Sequence, residues 1–457
     1  MISSLQLSDI AAACKGQLKG NDLVIERVST DTRKIQRGDL FVALRGDQFD
    51  AHNFLAEAVN KGASALVVEA ANDSLSVPQI IVADTTAALG CVGRMVRQQF
   101  DGKLIAITGS CGKTTVKEML ASILRQAGGV HATQGNLNNH IGVPLTLLQL
   151  TSDRDFAVIE MGASGPGEIA YLVSLAEPQV ALVNNVMPAH LEGFGSLQGV
   201  AQAKGEIYQG LVAGTTAVVN ADEPFAPQWL SALPVGVKPL LFSVSKAADF
   251  QAKNIQINAQ GCAEFQLITP VGECSITLPL LGLQNVANAL AAAACAYAAG
   301  VELAAIKAGL ETLQSVSGRL QLAEGCNGSL IIDDSYNANP GSVKAAIDTL
   351  MRLPMRSNKV LVLGDLAELG DGAAEMLLDV GRYARQAGLQ HLLTVGNNSR
   401  FVSEGFGSGS QHFSQQQEAV AQLLQQADPK TVILIKGSRS ARMDVVVQEL
   451  IHCGDKN

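Results

Sequence analysis

Short apolar runs that stop at a glycine or a polar residue recur along the chain, with helix-like stretches between them. "KLIAITGSCGKTT" is an apolar strand feeding a glycine-rich turn and then a helix; "DFAVIEMGA" and "QVALVNNV" repeat the strand part, and "TAVVNADEP" adds another. Strands alternating with helices in this way predict a parallel sheet whose active residues sit at the strands' C-terminal ends. Residues 240–282 ("FQLITP", "SITLPLLG") read as β-rich, and the Ala-rich run Ala289 to Ala299 reads as a buried helix. Ahead of this block, "RGDLFVALRG", "ASALVVEA" and "PQIIVAD" surround the helix-like "NFLAEAVNKG", a small α/β unit. Behind it, "SLIIDDSYN", "KVLVLGDLAELG", "HLLTVGNN" and "TVILIKGSRS" repeat the rhythm as a second open sheet with its own ligand edge.

The expected architecture is therefore α/β in three domains. Residues 1–82 form a small α/β N-terminal domain, 83–314 a central mononucleotide-binding parallel sheet, and 315–457 a C-terminal Rossmann-like open sheet. Composition agrees. The 457 residues are 47% hydrophobic and 16% charged, a globular balance with length for several cores. A net charge of −9 without a basic run argues against a dedicated nucleic-acid binder. The N-terminus lacks the basic and apolar regions of a signal peptide, and the Ala-rich run is too short to span a bilayer, so no membrane insertion is expected. Eight scattered cysteines without a CxxC pair read as reduced, mostly buried thiols of a cytoplasmic protein.

Chemistry concentrates at the predicted strand ends. In "TGSCGKTT" only Ser110 and Cys111 separate Gly109 from Gly112, two residues fewer than a standard Walker A loop has. The context still fits a P-loop: backbone amides from Gly109 to Thr114 at a helix N-terminus, Lys113 for the β/γ-phosphates, and the hydroxyl of Thr114 or Thr115 for Mg²⁺. Cys111 has no histidine partner nearby and reads as a tolerated loop residue. Glu160 ends a strand, where a Mg²⁺-binding or water-orienting acid belongs. His190 follows the next strand; it is either a packed histidine or a metal or phosphate ligand at the same edge. From spacing alone, Lys204 is a solvated helical lysine. "DDSYNANPGS", with Asp334 and Asn337, suits a ribose or a peptide, or simply makes a good turn. Arg319 lies at the junction of the second and third blocks, where domain closure would bring it to phosphates. Lys436 and Arg439 at a strand end form a carboxylate or phosphate clamp, or a basic surface turn.

Taken together these segments resemble the Mur ligase family of peptidoglycan synthesis. "TGSCGKTT" is similar to that family's shortened loop, and "GNLNNHIGVPLTLL", "VIEMGAS", "AHLEGFGS", "AKGEIY", "GLQNVANALAA" and "SGRLQ" follow in the family's order over nearly the whole chain. The resemblance implies that Lys113 and Thr114 bind ATP phosphates and Mg²⁺ (one ion or two), with Glu160 and His190 as further metal ligands. Lys204 falls where family members carry a carbamylated lysine. Asn285 and Asn288 match the adenine-side motif, where Gln284 replaces the usual histidine. Arg319 and Asp334 would reach ATP from the C-terminal domain. Asn138 and Asn139 fall in a further family motif and are carried over as substrate-binding candidates.

"STDTRKIQRGDLFVALRGDQFDAHNF" resembles the UDP-sugar-binding domain of two family branches and holds Thr32, Arg33, Asp47 and Asn53. "DDSYNANP" and "GDLAELG" resemble the branch that adds D-alanyl-D-alanine to UDP-N-acetylmuramoyl-tripeptide. The implied activity is that ATP-dependent amide ligation through an acyl phosphate, by a monomer, with Lys436, Arg439 and Asn337 near the dipeptide. The alternatives are a sister Mur ligase, a folylpolyglutamate-synthase-like amide ligase, a non-catalytic ATP-binding regulator and a kinase.

Overall fold

The computed structural model describes residues 1–46, 49–188, 191–354, 356–370 and 372–452. In the N-terminal block five short strands stand in the order Gln17–Lys19, Gln79–Ile81, Ala65–Val68, Leu40–Val42, Val28–Ser29. All neighbours are parallel except the first pair. Ala65–Val68 is buried at every position, as a central strand covered on both faces requires.

The helix Thr85–Gln98 leads onward. Asp84 caps its start, its carboxylate accepting from the N–H groups of Thr86 (2.7 Å) and Ala87 (3.0 Å), a contribution of about 1 kcal/mol. Near its end Arg97 is buried and donates to the carbonyls of Ala176 (2.6 Å), Glu177 (2.9 Å) and Phe100 (3.0 Å). It thus satisfies carbonyls at the end of the helix Glu168–Ala176 that have no partner within that helix. One hydrophobic cluster runs from Leu5 and Leu40 through Leu89 and Val92 to Ile159 and Tyr208, so the first two blocks share a core.

The central sheet has nine strands, in the order Gly272–Leu281, Cys262–Thr269, Phe250–Ile257, Lys238–Ser243, Thr216–Asn220, Val180–Val183, Lys103–Thr108, Phe156–Glu160, Val130–Ala132. From Phe250–Ile257 to Val130–Ala132 every pair is parallel. The two remaining strands pair antiparallel, because the turns joining them are too short for a crossover. The Ala-rich segment is the helix Gln284–Ala298, and Ala289 to Ala294 are fully buried. A Cβ on Gly309 would lie 2.3 Å from Ile123 Cα, so glycine there lets the helix Leu303–Glu311 pack directly on the helix Lys113–Leu124.

The C-terminal sheet runs Gln321–Glu324, Leu330–Asp334, Thr431–Lys436, Asn358–Gly364, His391–Val395, Ser410–Phe413. Only its first pair is antiparallel. The sequence pattern marks the four inner strands and misses the two edges, which lack an apolar run. Thr431–Lys436 inserts between Leu330–Asp334 and Asn358–Gly364, so the chain reverses there and opens a crevice at their C-terminal ends.

Among the described residues no helix is long and apolar enough to cross a membrane. Cys14, Cys91, Cys111, Cys262, Cys274 and Cys295 are free thiols, of which only Cys295 is fully buried. The expectation of mostly buried cysteines is corrected there.

Candidate active site

Three neighbouring parallel strands deliver the site. Thr108 pairs with Val183, and Ile107 with Glu160, so the loop 109–112, Glu160 and Asn184 leave the sheet at one edge. The helix Lys113–Leu124 starts from Gly112, which has φ 77°. A Cβ on Gly112 would stand 2.7 Å from both Asn184 Nδ2 and Asn288 Oδ1, so backbone conformation and space both demand glycine. The first helical hydrogen bond is Val116 N–H to Gly112 O, 2.8 Å. The N–H groups of Gly112 to Thr115 are therefore free of intrahelical partners and aligned with the positive end of the helix dipole.

The expectation that every loop amide faces an anion is corrected at two positions. Ser110 N–H donates to Asn185 O (3.0 Å) and Cys111 N–H to Asn185 Oδ1 (2.8 Å). Both amides are consumed by the segment after the strand Val180–Val183.

Lys113 Nζ donates to Gly109 O at 2.7 Å. Burial holds its ammonium below the usual lysine range, against the attraction of Glu160. Glu160 is 2% exposed. Asn138 Nδ2 donates to its Oε1 at 2.8 Å, while Oε2 is buried with no partner. An unpaired buried carboxylate oxygen costs free energy and marks a place for a cation. Of the two candidate hydroxyls, Thr115 is buried and Thr114 is half-exposed. Thr114 Oγ1 accepts from Arg319 Nη2 at 2.9 Å, which brings the start of the third block onto the first turn of the helix Lys113–Leu124.

Lys204 overturns the solvated-lysine reading from spacing. It lies on the helix Leu197–Gln209 and is 2% exposed, because that face packs on the sheet. Burial, with repulsion from Lys113, lowers its pKa to about 7, opposed by Cys111. Its Nζ sits 5.9 Å from the centroid of the Phe194 ring. His190 and Asp47 lie outside the described residues.

In the C-terminal crevice Lys436 is not an open clamp. Its Nζ pairs with Asp334 Oδ2 at 2.6 Å and donates to Asn337 O at 3.0 Å. The two side chains are 3% and 13% exposed. Burial pushes the Asp334 carboxyl up, and Lys436 pulls against it. Arg439 is exposed, 5.3 Å from the ring centroid of Tyr336, which Arg319 also approaches at 4.5 Å. Asn139 Oδ1 accepts from the N–H groups of Ile141 (3.2 Å) and Gly142 (2.9 Å). Asn285 donates to Leu281 O (2.7 Å), and Asn288 to Asn285 Oδ1 (2.8 Å). Beside them Gln284 lines a cavity of about 150 Å³ with Leu283, Thr349 and Arg352. Among the described residues, Thr32, Arg33 and Asn53 make no hydrogen bond or ion pair with this group; Arg33 pairs with Asp31 at 2.8 Å.

The sequence reading missed Asn184, Asn185 and Asn339. Asn339 Nδ2 reaches Cys111 Sγ at 3.0 Å while Oδ1 caps the helix Pro340–Arg352. Asparagine at a strand end or before a proline reads as turn chemistry, and only the distant partner distinguishes these. Among the described residues no three His, Cys, Asp or Glu side chains gather as a metal cage.

Comparison with known proteins gives a uniform result. Residues 24–94 match the Mur ligase family catalytic domain, 107–296 the Mur ligase middle domain, and 318–439 the Mur ligase glutamate ligase domain. The UDP-N-acetylmuramoyl-tripeptide–D-alanyl-D-alanine ligase of Escherichia coli (strain K12) is 48% identical over 98% of each chain. A crystal structure of MurF from Acinetobacter baumannii superposes with a TM-score of 0.93, at 38% identity over 99% of each chain. The MurF ligase of Thermotoga maritima in complex with ADP gives 0.83, at 28% identity over 92% of this chain and 96% of that one.

Proposed function

The chain belongs to the Mur ligase family, and from that premise we propose that it joins D-alanyl-D-alanine to the UDP-N-acetylmuramoyl-tripeptide. It is an ATP-dependent ligase that forms a C–N bond. The geometric observation behind the reading is the meeting of Lys113, the unpaired Glu160 Oε2 and the Arg319–Thr114 contact at one sheet edge. The choice of amine rests on relatives that are similar over their whole length.

A carboxylate is a poor electrophile; the tripeptide's terminal carboxylate attacks the γ-phosphorus of ATP, the β,γ-bridging P–O bond breaks, and an acyl phosphate and ADP result. Two anions must first approach. Lys113 and the N–H groups of Gly112 to Thr115 offset their repulsion and stabilise charge on the transferring phosphoryl group. Arg319, already at Thr114, adds a second cation from the C-terminal side. Thr114 and Glu160 fit Mg²⁺ and would hold it; the family resemblance adds His190 to that role. When bound, the ion screens the β- and γ-phosphates. The dipeptide amine, once deprotonated, attacks the acyl carbon, and phosphate leaves. Arg439, exposed at the crevice, is the cation for the dipeptide's carboxylate, while Lys436 holds Asp334 toward the nucleotide. Closure of the crevice over the loop excludes the water that would hydrolyse an acyl phosphate.

With purified protein, ATP, Mg²⁺ and the UDP-tripeptide, phosphate release is expected only when D-alanyl-D-alanine is added. Release that proceeds equally without the dipeptide sinks the reading, and a different amine that drives release reassigns the chain to a sister enzyme.

Lys204 is the carbamylation site in this scheme. Only a free amine attacks CO₂, and a pKa of about 7 leaves roughly half the side chain neutral at that pH. The unperturbed value is about 10.4, so between the two pH values the unfolded chain binds the extra proton and stability rises with pH. In ¹³C-bicarbonate a carbamate carbon is expected to grow as pH rises through about 7 and to be absent from Lys204→Arg. Its absence from the native protein at pH ~8 would refute the assignment.

A further inference from the structure

The peptides of the four-residue loop are held by the neighbouring strand end. Asn185 Nδ2 and Asn184 Nδ2 both donate to Cys111 O at 3.0 Å. Asn185 Oδ1 accepts from Cys111 N–H at 2.8 Å, and its main-chain carbonyl accepts from Ser110 N–H at 3.0 Å. Ser110 Oγ exchanges two more hydrogen bonds with Met187, to its carbonyl at 3.1 Å and from its N–H at 2.9 Å. One side-chain amide therefore reads both polar groups of Cys111, and a second reinforces the carbonyl. Asn184 is fixed in turn, since its Nδ2 also donates to Asn288 Oδ1 at 2.9 Å and its carbonyl accepts from Asn220 Nδ2 at 3.1 Å.

The Cys111–Gly112 peptide is planar and trans, so its C=O and N–H point in opposite directions. With the oxygen held in the asparagine pair, the Gly112 N–H is turned the other way, to the helix N-terminus where the first-turn amides are free. Glycine after the peptide makes the reverse orientation cheap. A flipped peptide would aim the Cys111 oxygen at the phosphate site and withdraw the Gly112 donor. Each flip exchanges attraction for repulsion where charge density is highest.

We propose that Asn185, backed by Asn184, is the positioning residue that sets the Cys111–Gly112 peptide and thereby determines how tightly the loop holds nucleotide phosphates. The proposal rests on the reading of the loop as the ATP site. It assigns the asparagines no contact with the nucleotide.

The test compares the native protein with Asn185→Ser, Asn185→Ala and Asn185→Asp for ADP and ATP binding by calorimetry, and for KM of each substrate. Asn185→Ala removes two side-chain hydrogen bonds and is expected to weaken ATP binding about 10- to 100-fold. Asn185→Asp is expected to be worse still: it keeps an acceptor for Cys111 N–H but sets a carboxylate against the carbonyl. Asn185→Ser is the mildest and guards against a variant that fails to fold. KM for the UDP-tripeptide and the melting temperature are expected to stay close to native in Ser and Ala. Native-like ATP affinity in Asn185→Ala and Asn185→Asp overturns the proposal, as does an equal loss for ATP and UDP-tripeptide. No ATP binding by the native protein overturns the nucleotide reading itself.

Discussion

Lys113→Ala is expected to lower turnover by about a thousandfold or more, with the fold intact. The magnitude follows from what the ammonium does: it is the side-chain cation of the loop, and removing one preorganised charge stabiliser costs about 3–4 kcal/mol in the transition state. Its present partner is the Gly109 carbonyl at 2.7 Å, a contact within the loop that ATP phosphates outcompete by full charge. Burial disfavours the ammonium and the attraction of Glu160 opposes that, so its loss is expected to shift the melting temperature of the empty protein little. Steady-state ADP release and a thermal melt check both halves. A variant that retains a tenth of native turnover contradicts the role, and one that melts well below native contradicts the claim about stability. Lys113→Arg is not expected to rescue, because a planar fork does not replace a compact ammonium inside a four-residue loop.

The largest effect on stability is expected at Lys436. Its ion pair with Asp334 is 2.6 Å long and nearly sealed from water. Lys436→Met leaves a buried carboxylate without its ion-pair partner, with only the weaker pull of Arg319 remaining, at a cost of about 3–5 kcal/mol. The double variant Asp334→Asn/Lys436→Met removes both charges and is expected to recover most of that loss, although not activity. Burial raises the Asp334 pKa, and removing Lys436 raises it further, so the folded single variant takes up a proton that the unfolded chain does not. Its deficit therefore shrinks as pH falls toward 5 and grows as pH rises. Urea unfolding of the native, single and double proteins at two pH values measures this. A single variant as stable as native shows the pair to be structurally idle.

What was legible in the sequence was local. The loop, Lys113 and Glu160 lie within a few residues of an apolar strand, and the strand's end fixes where they emerge. The buried Ala-rich helix was readable because no charge interrupts it. What escaped were properties set by partners far along the chain. Lys436 looked like a free strand-end cation, yet its counter-ion lies 102 residues earlier. Lys204 looked solvated because its helix carries polar neighbours, and only the packing of that helix on the sheet buries it. The antiparallel end of the central sheet followed from turn length rather than from strand composition. Asn185 had an unremarkable context, and its meaning appears only when Cys111, 74 residues away in sequence, is placed beside it.

The stitching of the loop to the strand end also bears on how the chain acquires its structure. Ser110 is joined to Met187 across 77 residues, and Thr114 to Arg319 across 205. The strand Lys103–Thr108 gains its second neighbour only when Val180–Val183 has been made. Pairings of such separation are slow, since loop closure must come before the contacts that reward it. The phosphate loop is consequently held only once Met187 has been made, although its own residues are synthesised some 77 positions earlier. Nucleotide that binds the finished loop stabilises the folded protein by mass action. A nascent chain ending before Val180 would carry the whole loop sequence and no phosphate cradle.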